Sequence, residues 1–498
     1  LPPAKGSHMT QRFLPLLLAL LLLAPASPVL AGPLLPKIER YALKSVEKEL
    51  IALARYAARG KDLEAALEEL ELGLEVLPES KRLKSELKKL EKKIERASKR
   101  KRKAEPTPSL AEKLKAKRAE AHEEIALELA KAAVAAEESA PERYRRYREL
   151  VQRRFPTKAA LDALDLVYFK DYYTWVSRRE AKLLESGGEL HEGKQLDAAT
   201  VANLDRQHST WSNPWVISDE VHEVRTTVSL RKAKQILAYV GAYRRYFLAR
   251  FGDVWELKAP KGKLPVIVTE TQQDLVEQTR AVAGDVAASQ AGQIQGAAYY
   301  LQSTGSLNPC FVTYEPKEAT GRTFKIERFE QIQIPLAHEV THQIAFEYSK
   351  FDADATRQVH HHFWAVEAIA NYMGYHSFDG ERWTLKRTRM IPMGQGFIEG
   401  PFAHCKNHVE SLPSLERFMG LSHEEFMSVE NYHVAATLAY FLLEGEQGKY
   451  RASFAKLLER IHRVKDKSDL FETCFPGVDR AKMQQEWLRF VRGVQLHG

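Results

Sequence analysis

The sequence predicts an α+β protein, mostly helical, with a small mixed sheet. Three observations carry that expectation. Leucines recur at helical spacing through the first hundred residues, at Leu43, Leu50, Leu53, Leu63, Leu67, Leu70, Leu74, Leu83, Leu87 and Leu90. From Val221 onward, short strand-like runs interrupt the helical pattern, first Val221–Val228 and then Leu264–Thr269. The run His338-Glu339-Val340-Thr341-His342 lies within Ile334 to Tyr348, which reads as one helix with Pro335 in its first turn.

The chain has 498 residues, of which 44% are hydrophobic and 28% charged. That composition is globular, and the length suits two or three domains. Residues 1–8 end in Gly6-Ser7-His8 ahead of Met9 and read as a cloning remnant. Residues 9–31 have the layout of a secretory signal peptide: Arg12, an apolar run from Leu16 to Ala24, then Val29-Leu30-Ala31 before Gly32. The apolar run falls short of the ~20 residues that a spanning helix needs. No stable membrane span is therefore expected, and the mature chain is expected to be exported to the periplasm, cell envelope or exterior. Three cysteines, Cys310, Cys405 and Cys474, allow one disulfide in such a compartment, with the pairing left open. The chain has no Cys-x-x-Cys pair, which argues against a thiolate metal site.

Residues 32–105 read as a helical region resembling tetratricopeptide (TPR) repeats. Gly60-Lys61-Asp62 and Pro78 break its periodicity. The segment from Asp62 to Pro78, with Ala66, Leu70 and Gly73, resembles the second helix of such a repeat. Residues 106–215 read as a helical connector, with a helical hairpin over Ala111–Phe155 and an aromatic-rich helix over Leu161–Leu184. One or two hairpins are fewer than the three or so that a free-standing solenoid needs. These helices are expected to pack on the rest of the chain or to bind a protein partner. The net charge of +8 resides largely in Lys92-Lys93 and in Lys99 through Lys103. That run contains no aromatic residue, so it reads as a solvated linker and no nucleic-acid partner is expected. Gly188 through Gly193-Lys194 comes near a phosphate loop, but Gln195 stands where Ser or Thr is required.

Residues 216–498 carry the chemistry. A helix follows the first strand to about Phe251. Tyr299-Tyr300-Leu301 and Cys310–Tyr314 read as a hairpin around Gly305-Ser306. Positions i and i+4 of a helix share a face, so His338 and His342 aim two imidazoles at one point. Glu339 leaves the same turn at another angle and can face a metal-bound water. A catalytic zinc site takes three protein ligands and keeps one open position. Glu367 is the one charged residue in the helical run Phe363–Met373. A carboxylate in such surroundings is costly unless it is paired or metal-bound, so Glu367 is the candidate third ligand. Asn371, one turn later, is the candidate to orient the imidazoles. His360-His361-His362 reads as a solvated loop.

A His-Glu-x-x-His helix followed by Trp364-x-x-Glu367-x-x-Ala370-x-Tyr372 resembles the gluzincin metallopeptidases of the MA-like clan, among them the DUF1570 proteins of Planctomycetes. The resemblance runs from about Val221 to the C-terminus. Ala368 departs from it, since glycine is usual at that place. The resemblance implies a Zn²⁺-dependent peptidase acting on a peptide or protein substrate, and the lack of a Gly-rich exopeptidase motif ahead of the motif helix favours an endopeptidase. It implies His338, His342 and Glu367 as metal ligands and Glu339 as general base. It also implies Tyr432, with His433 second, as donor to the developing oxyanion, and Cys310–Tyr314 as the edge strand that pairs with substrate. Two other classes fit the same residues: an inactive gluzincin-fold envelope or interaction protein that binds partners through its N-terminal helices, and a zinc hydrolase of non-peptide amides.

In a secreting host the mature chain is expected to begin at Gly32 or an adjacent residue. N-terminal sequencing checks this, and retention of Leu16–Ala24 in membranes would point to an anchor instead.

Overall fold

The computed structural model describes residues 35–60, 62–99, 108–137, 139–294, 296–301, 307–318, 321–349, 362–378, 383–385, 399–463 and 470–494. Residues 1–8, the expected signal segment 9–31, the basic run 100–103, Gly305-Ser306, His360 and His361 lie outside the described residues. The chain divides into two compact units, Leu1–Tyr168 with Thr174–Lys182, and Phe169–Tyr173 with Leu183–Gly498.

The first unit is helical. Its helices are Leu35–Arg59, Leu63–Val76, Lys81–Lys99, Pro108–Ala136 and Pro141–Arg154. Breaks fall where Gly60 and Pro78 put them, and the Asp62 side chain caps the second helix by accepting from Ala65 N at 3.0 Å. Val46, Leu50, Leu70, Leu83, Ile125, Leu129 and Val151 share one core, so helices from residues 32–105 and from the expected connector pack together. The buried Glu69 carboxylate in this core is met by Arg118 and by His122 Nε2 at 3.3 Å. The single helix expected over Leu161–Leu184 is not formed. Helix Lys158–Ala163 gives way to short strands Leu166–Phe169 and Thr174–Ser177, and helix resumes at Arg178–Glu185. Asp165 (φ 50°) and Tyr173 (φ 49°) take left-handed backbone conformations that stop a helix, and the aromatic and β-branched residues between them suit extended chain.

The second unit is built on a five-stranded sheet: β1 (Trp215–Ser218), β2 (His222–Thr226), β3 (Leu264–Thr269), β4 (Gly296–Tyr300) and β5 (Cys310–Lys317), in spatial order β1-β2-β3-β5-β4. The central pairs β2/β3 and β3/β5 are parallel, and each flanking strand is antiparallel to its neighbour. Helices Leu230–Phe251 and Gln272–Ala291 lie in the crossovers. This order corrects one expectation. Cys310–Tyr314 is not an edge, because β5 pairs with β3 on one side (Val266↔Cys310) and β4 on the other (Tyr300↔Cys310). The edge is β4. Residues 186–209 form a hairpin, Glu189–His191 with Lys194–Leu196, and then a helix, Ala198–Gln207. Glu192 and Gly193, both at positive φ, make its two-residue turn, so the glycine serves a hairpin and no phosphate loop forms.

The helix carrying the two histidines spans Glu330–Ser349, so Pro335 lies inside it rather than in its first turn. Proline has no N–H for the carbonyl of Gln331, a loss the helix tolerates here because Ile332, Leu336, Val340 and Ile344 are fully buried in the main core. Helix Phe363–Gly374 carries Glu367, and Ala368 beside it is fully buried in the same core. Among the described residues no helix is long and apolar enough to cross a membrane.

Cys310, Cys405 and Cys474 are all buried and unbonded. Burial pushes each thiol above its ordinary range, Cys405 to about 11. A thiol-reactive dye is expected to label the folded protein slowly and to report three thiols after denaturation without reductant; a single thiol would reveal a disulfide.

Candidate metal centre

The motif helix Glu330–Ser349 is fixed to its surroundings on the faces turned away from the histidines. Gln343 Nε2 donates to Pro265 O of β3 at 3.0 Å and to Asn308 O at 2.8 Å. Thr341 Oγ1 donates to Ala337 O at 2.8 Å and takes the Tyr243 hydroxyl at 2.6 Å. Three of these bonds are buried and the one to Pro265 is part-buried, and losing a buried partner would strand the other. They restrict rotation of the helix, and with it the direction in which His338, Glu339 and His342 point.

The two imidazoles meet as the i, i+4 spacing implies, with His338 Nε2 and His342 Nε2 3.1 Å apart. Glu367 reaches both. Its Oε2 lies 3.2 Å from His338 Nε2, and its Oε1 lies 3.4 Å from His342 Nε2. Side chains that share one small tetrahedral cation lie about 3.3 Å apart, and the three separations here are of that size. His338, Glu339 and His342 form a group of their own, with donor atoms all within 4.8 Å of one another. This group can hold a metal ion.

The two carboxylates are held differently. Burial acts to raise the pKa of Glu367, but the nearby His342 and His338 imidazoles outweigh it and hold the carboxyl well below the usual range. Burial pushes Glu339 up to about 7, with the Glu367 charge adding and with His338 and the Tyr300 N–H opposing. A cation on the imidazoles would draw Glu339 back toward its charged form. The Tyr300 backbone N–H donates to Glu339 Oε2 at 2.8 Å. Glu339 is thus tied to the edge strand, while Glu367 faces both nitrogens.

Tyr300 was not expected at the site. Its ring stacks over His342 with centroids 6.4 Å apart. Its hydroxyl accepts from Asn308 Nδ2 at 2.9 Å, and Asn308 also donates to the buried Glu347 from Nδ2 at 2.9 Å and from N at 3.2 Å. A Tyr-Tyr pair in a strand announces none of this, because the contact to Glu339 is made by backbone.

Helix Val429–Glu444 carries Tyr432 and His433 one turn in, since Ser428 is its N-cap and accepts from Asn431 N at 3.3 Å. Both residues line a cleft of about 430 Å³ together with His338, Glu339 and Asn371. Burial pushes the Tyr432 phenol well above its ordinary range, and the Glu367 and Glu339 charges add to the shift. Its hydroxyl lies 3.6 Å from Met427 Sδ. The His433 ring leans on His404 with centroids 4.6 Å apart. Burial, with His404 beside it, lowers the His433 pKa. Its Nδ1 is buried and has no hydrogen-bond partner among the described residues. Asn371 Nδ2 is likewise buried and makes no hydrogen bond to His338 or His342.

No family model matches the chain, and comparison with curated proteins and with solved structures finds no match.

The protein is expected to take up one divalent metal ion per chain. His342→Ala and Glu367→Ala should each weaken binding by more than the roughly 10–100-fold that loss of an outer partner costs. Elemental analysis and chelator competition read this. Unchanged stoichiometry and affinity in both variants would exclude the site.

Proposed function

We propose that the chain is an exported zinc peptidase of the gluzincin kind, cleaving peptide bonds within an extended substrate. The observation that supports this most is the division of labour between two carboxylates: Glu367 faces both imidazoles, and Glu339 stands beside them, held by the edge strand. Two imidazoles and one carboxylate are a donor set that suits zinc. Zinc held by His338, His342 and Glu367 would supply a bound water with pKa near about 7 and would polarise the scissile carbonyl.

The remaining steps belong to the chain. Glu339 Oε2 is anchored by the Tyr300 N–H, so Oε1 is the oxygen left to accept a proton from the attacking water. The same carboxyl then delivers that proton to the departing amine nitrogen. Tyr432, at the cleft wall and coupled electrostatically to Glu339 and Glu367, is the hydroxyl best suited to donate to the oxyanion. Strand β4, an edge among the described residues, offers backbone groups to an extended peptide. That edge favours a peptide over a small non-peptide amide. Export is proposed on the signal-like segment 9–31. The N-terminal helical unit, TPR-like in sequence, is then the part available to a protein partner.

Glu339→Gln should retain the metal and lose turnover by ~10²–10⁴-fold, because an amide cannot accept the proton. Wild-type cleavage by a metal-loaded Glu339→Gln protein would sink the mechanism. A wild-type protein that binds metal and cleaves no member of a proteome-derived peptide library would favour the interaction-protein reading.

Tyr432→Phe removes one hydroxyl and should leave fold and metal content intact. Its kcat should fall by ~10²–10³ with little change in KM. Unchanged kcat would move the role away from Tyr432, with His433 next to test.

A further inference from the structure

We propose that this cleft selects peptides carrying a bulky apolar side chain beside the bond that is cut, and that Met427 and Val429 read that side chain. The proposal rests on the peptidase reading above and adds the substrate class.

Large apolar side chains are rarely left open to water without a use when they cluster. Among the described residues six are exposed, and Met427 (56%) and Val429 (64%) are two of them. These two lie two positions apart, just ahead of and at the start of helix Val429–Glu444, and both line the metal-centre cleft. Phe324, Ile326 and Ile334 line the same cleft. Strand β4 contributes Gly296, Ala297 and Ala298 to the lining, which carry a methyl group or less and leave room along the edge.

The charges matter as much as the apolar surface. The ionisable groups among the described lining residues are His338, Glu339, Tyr375, Tyr432 and His433; burial raises the Tyr375 phenol well above its ordinary range, so it stays neutral, and the other four are at the metal centre or candidates to assist it. A charged substrate side chain against the remaining wall would lose its water and find no partner of opposite sign, which is unfavourable. An aliphatic or aromatic side chain would instead cover Met427 and Val429, at no such penalty. Met427 suits this role because an unbranched thioether adapts to differently shaped partners.

The test compares two capped dipeptide hydroxamates, one with leucine and one with aspartate at the side-chain position, by calorimetry on the full-length, zinc-loaded Glu339→Gln protein. The hydroxamate group reports on the metal centre, and the ratio of affinities reports on the wall. The leucine compound should bind at least tenfold tighter. Met427→Asp and Val429→Asp should each erase most of that preference while metal content and thermal melting stay unchanged, since both positions are largely exposed. Equal binding of the two compounds by the parent, or a preference that survives both substitutions, would overturn the proposal and leave the metal centre standing. If neither compound binds, the metal-centre reading fails and the selectivity proposal fails with it. Cleavage of a peptide library by the wild-type protein supplies a second readout, in which sites should be enriched in leucine, phenylalanine or methionine next to the cut and depleted in aspartate and glutamate.

Discussion

The second unit depends on a carboxylate that has almost no water. Glu367 is 6% exposed, and an ionised group in that position is tolerable only when opposite charge and hydrogen-bond donors surround it. His338 and His342 meet that need by both of its oxygens. To do so, helix Phe363–Gly374 must lie close against helix Glu330–Ser349 with one fixed rotation of each. Small buried residues, Ala337 on one helix and Ala365 and Ala368 on the other, are compatible with that approach, and Trp364 and Ile369 anchor the second helix in the core. A metal ion at the imidazoles would relieve the same constraint, because it brings two positive charges to the place where one carboxylate already points.

The second carboxylate shows how position decides chemistry. Glu339 is one residue from His338, yet its surroundings push its pKa up to about 7 while those of Glu367 push the other way. Burial acts on both. The difference is that Glu367 lies on two imidazoles, whereas Glu339 has the pull of His338 alone and one backbone N–H, set against the repulsion of Glu367. Two acids driven apart in this manner are suited to different tasks, one to stay charged as a ligand and one to exchange a proton.

Much of this was legible in the sequence wherever the signal was local. The i, i+4 spacing placed His338 and His342, and the single charge in Phe363–Met373 marked Glu367. The apolar run Leu264–Thr269 matches β3 residue for residue. What the sequence hid was non-local. Either strand of the hairpin before the motif helix reads equally well as an edge, because nothing within Cys310–Tyr314 records that β5 will also pair with β3. Pro335 is a sound first-turn signal, but burial of Ile332 and Leu336 carries the helix upstream of it. The aromatic stretch within Leu161–Leu184 reads as a helix by its apolar content, and two left-handed residues undo it. The contact between Tyr300 and Glu339 uses a backbone N–H and leaves no mark in residue type.

That contact brings the sheet and the motif helix together. The helix presents two i, i+4 pairs offset by five residues, or about 140° around the axis. His338 and His342 face the cleft. Gln343 and Glu347 face Asn308, the first donating to its carbonyl and the second accepting from its N–H and its amide. Asn308 sits just ahead of β5 and donates in turn to the Tyr300 hydroxyl at the end of β4. Asn308, ahead of β5, is therefore stapled to the same helix that carries the histidines. A shift of that helix along its axis would move the two imidazoles and the anchor for Tyr300 together. The Tyr300 N–H thus keeps its height against Glu339 Oε2, and the orientation of the proposed base is set by the helix that bears it.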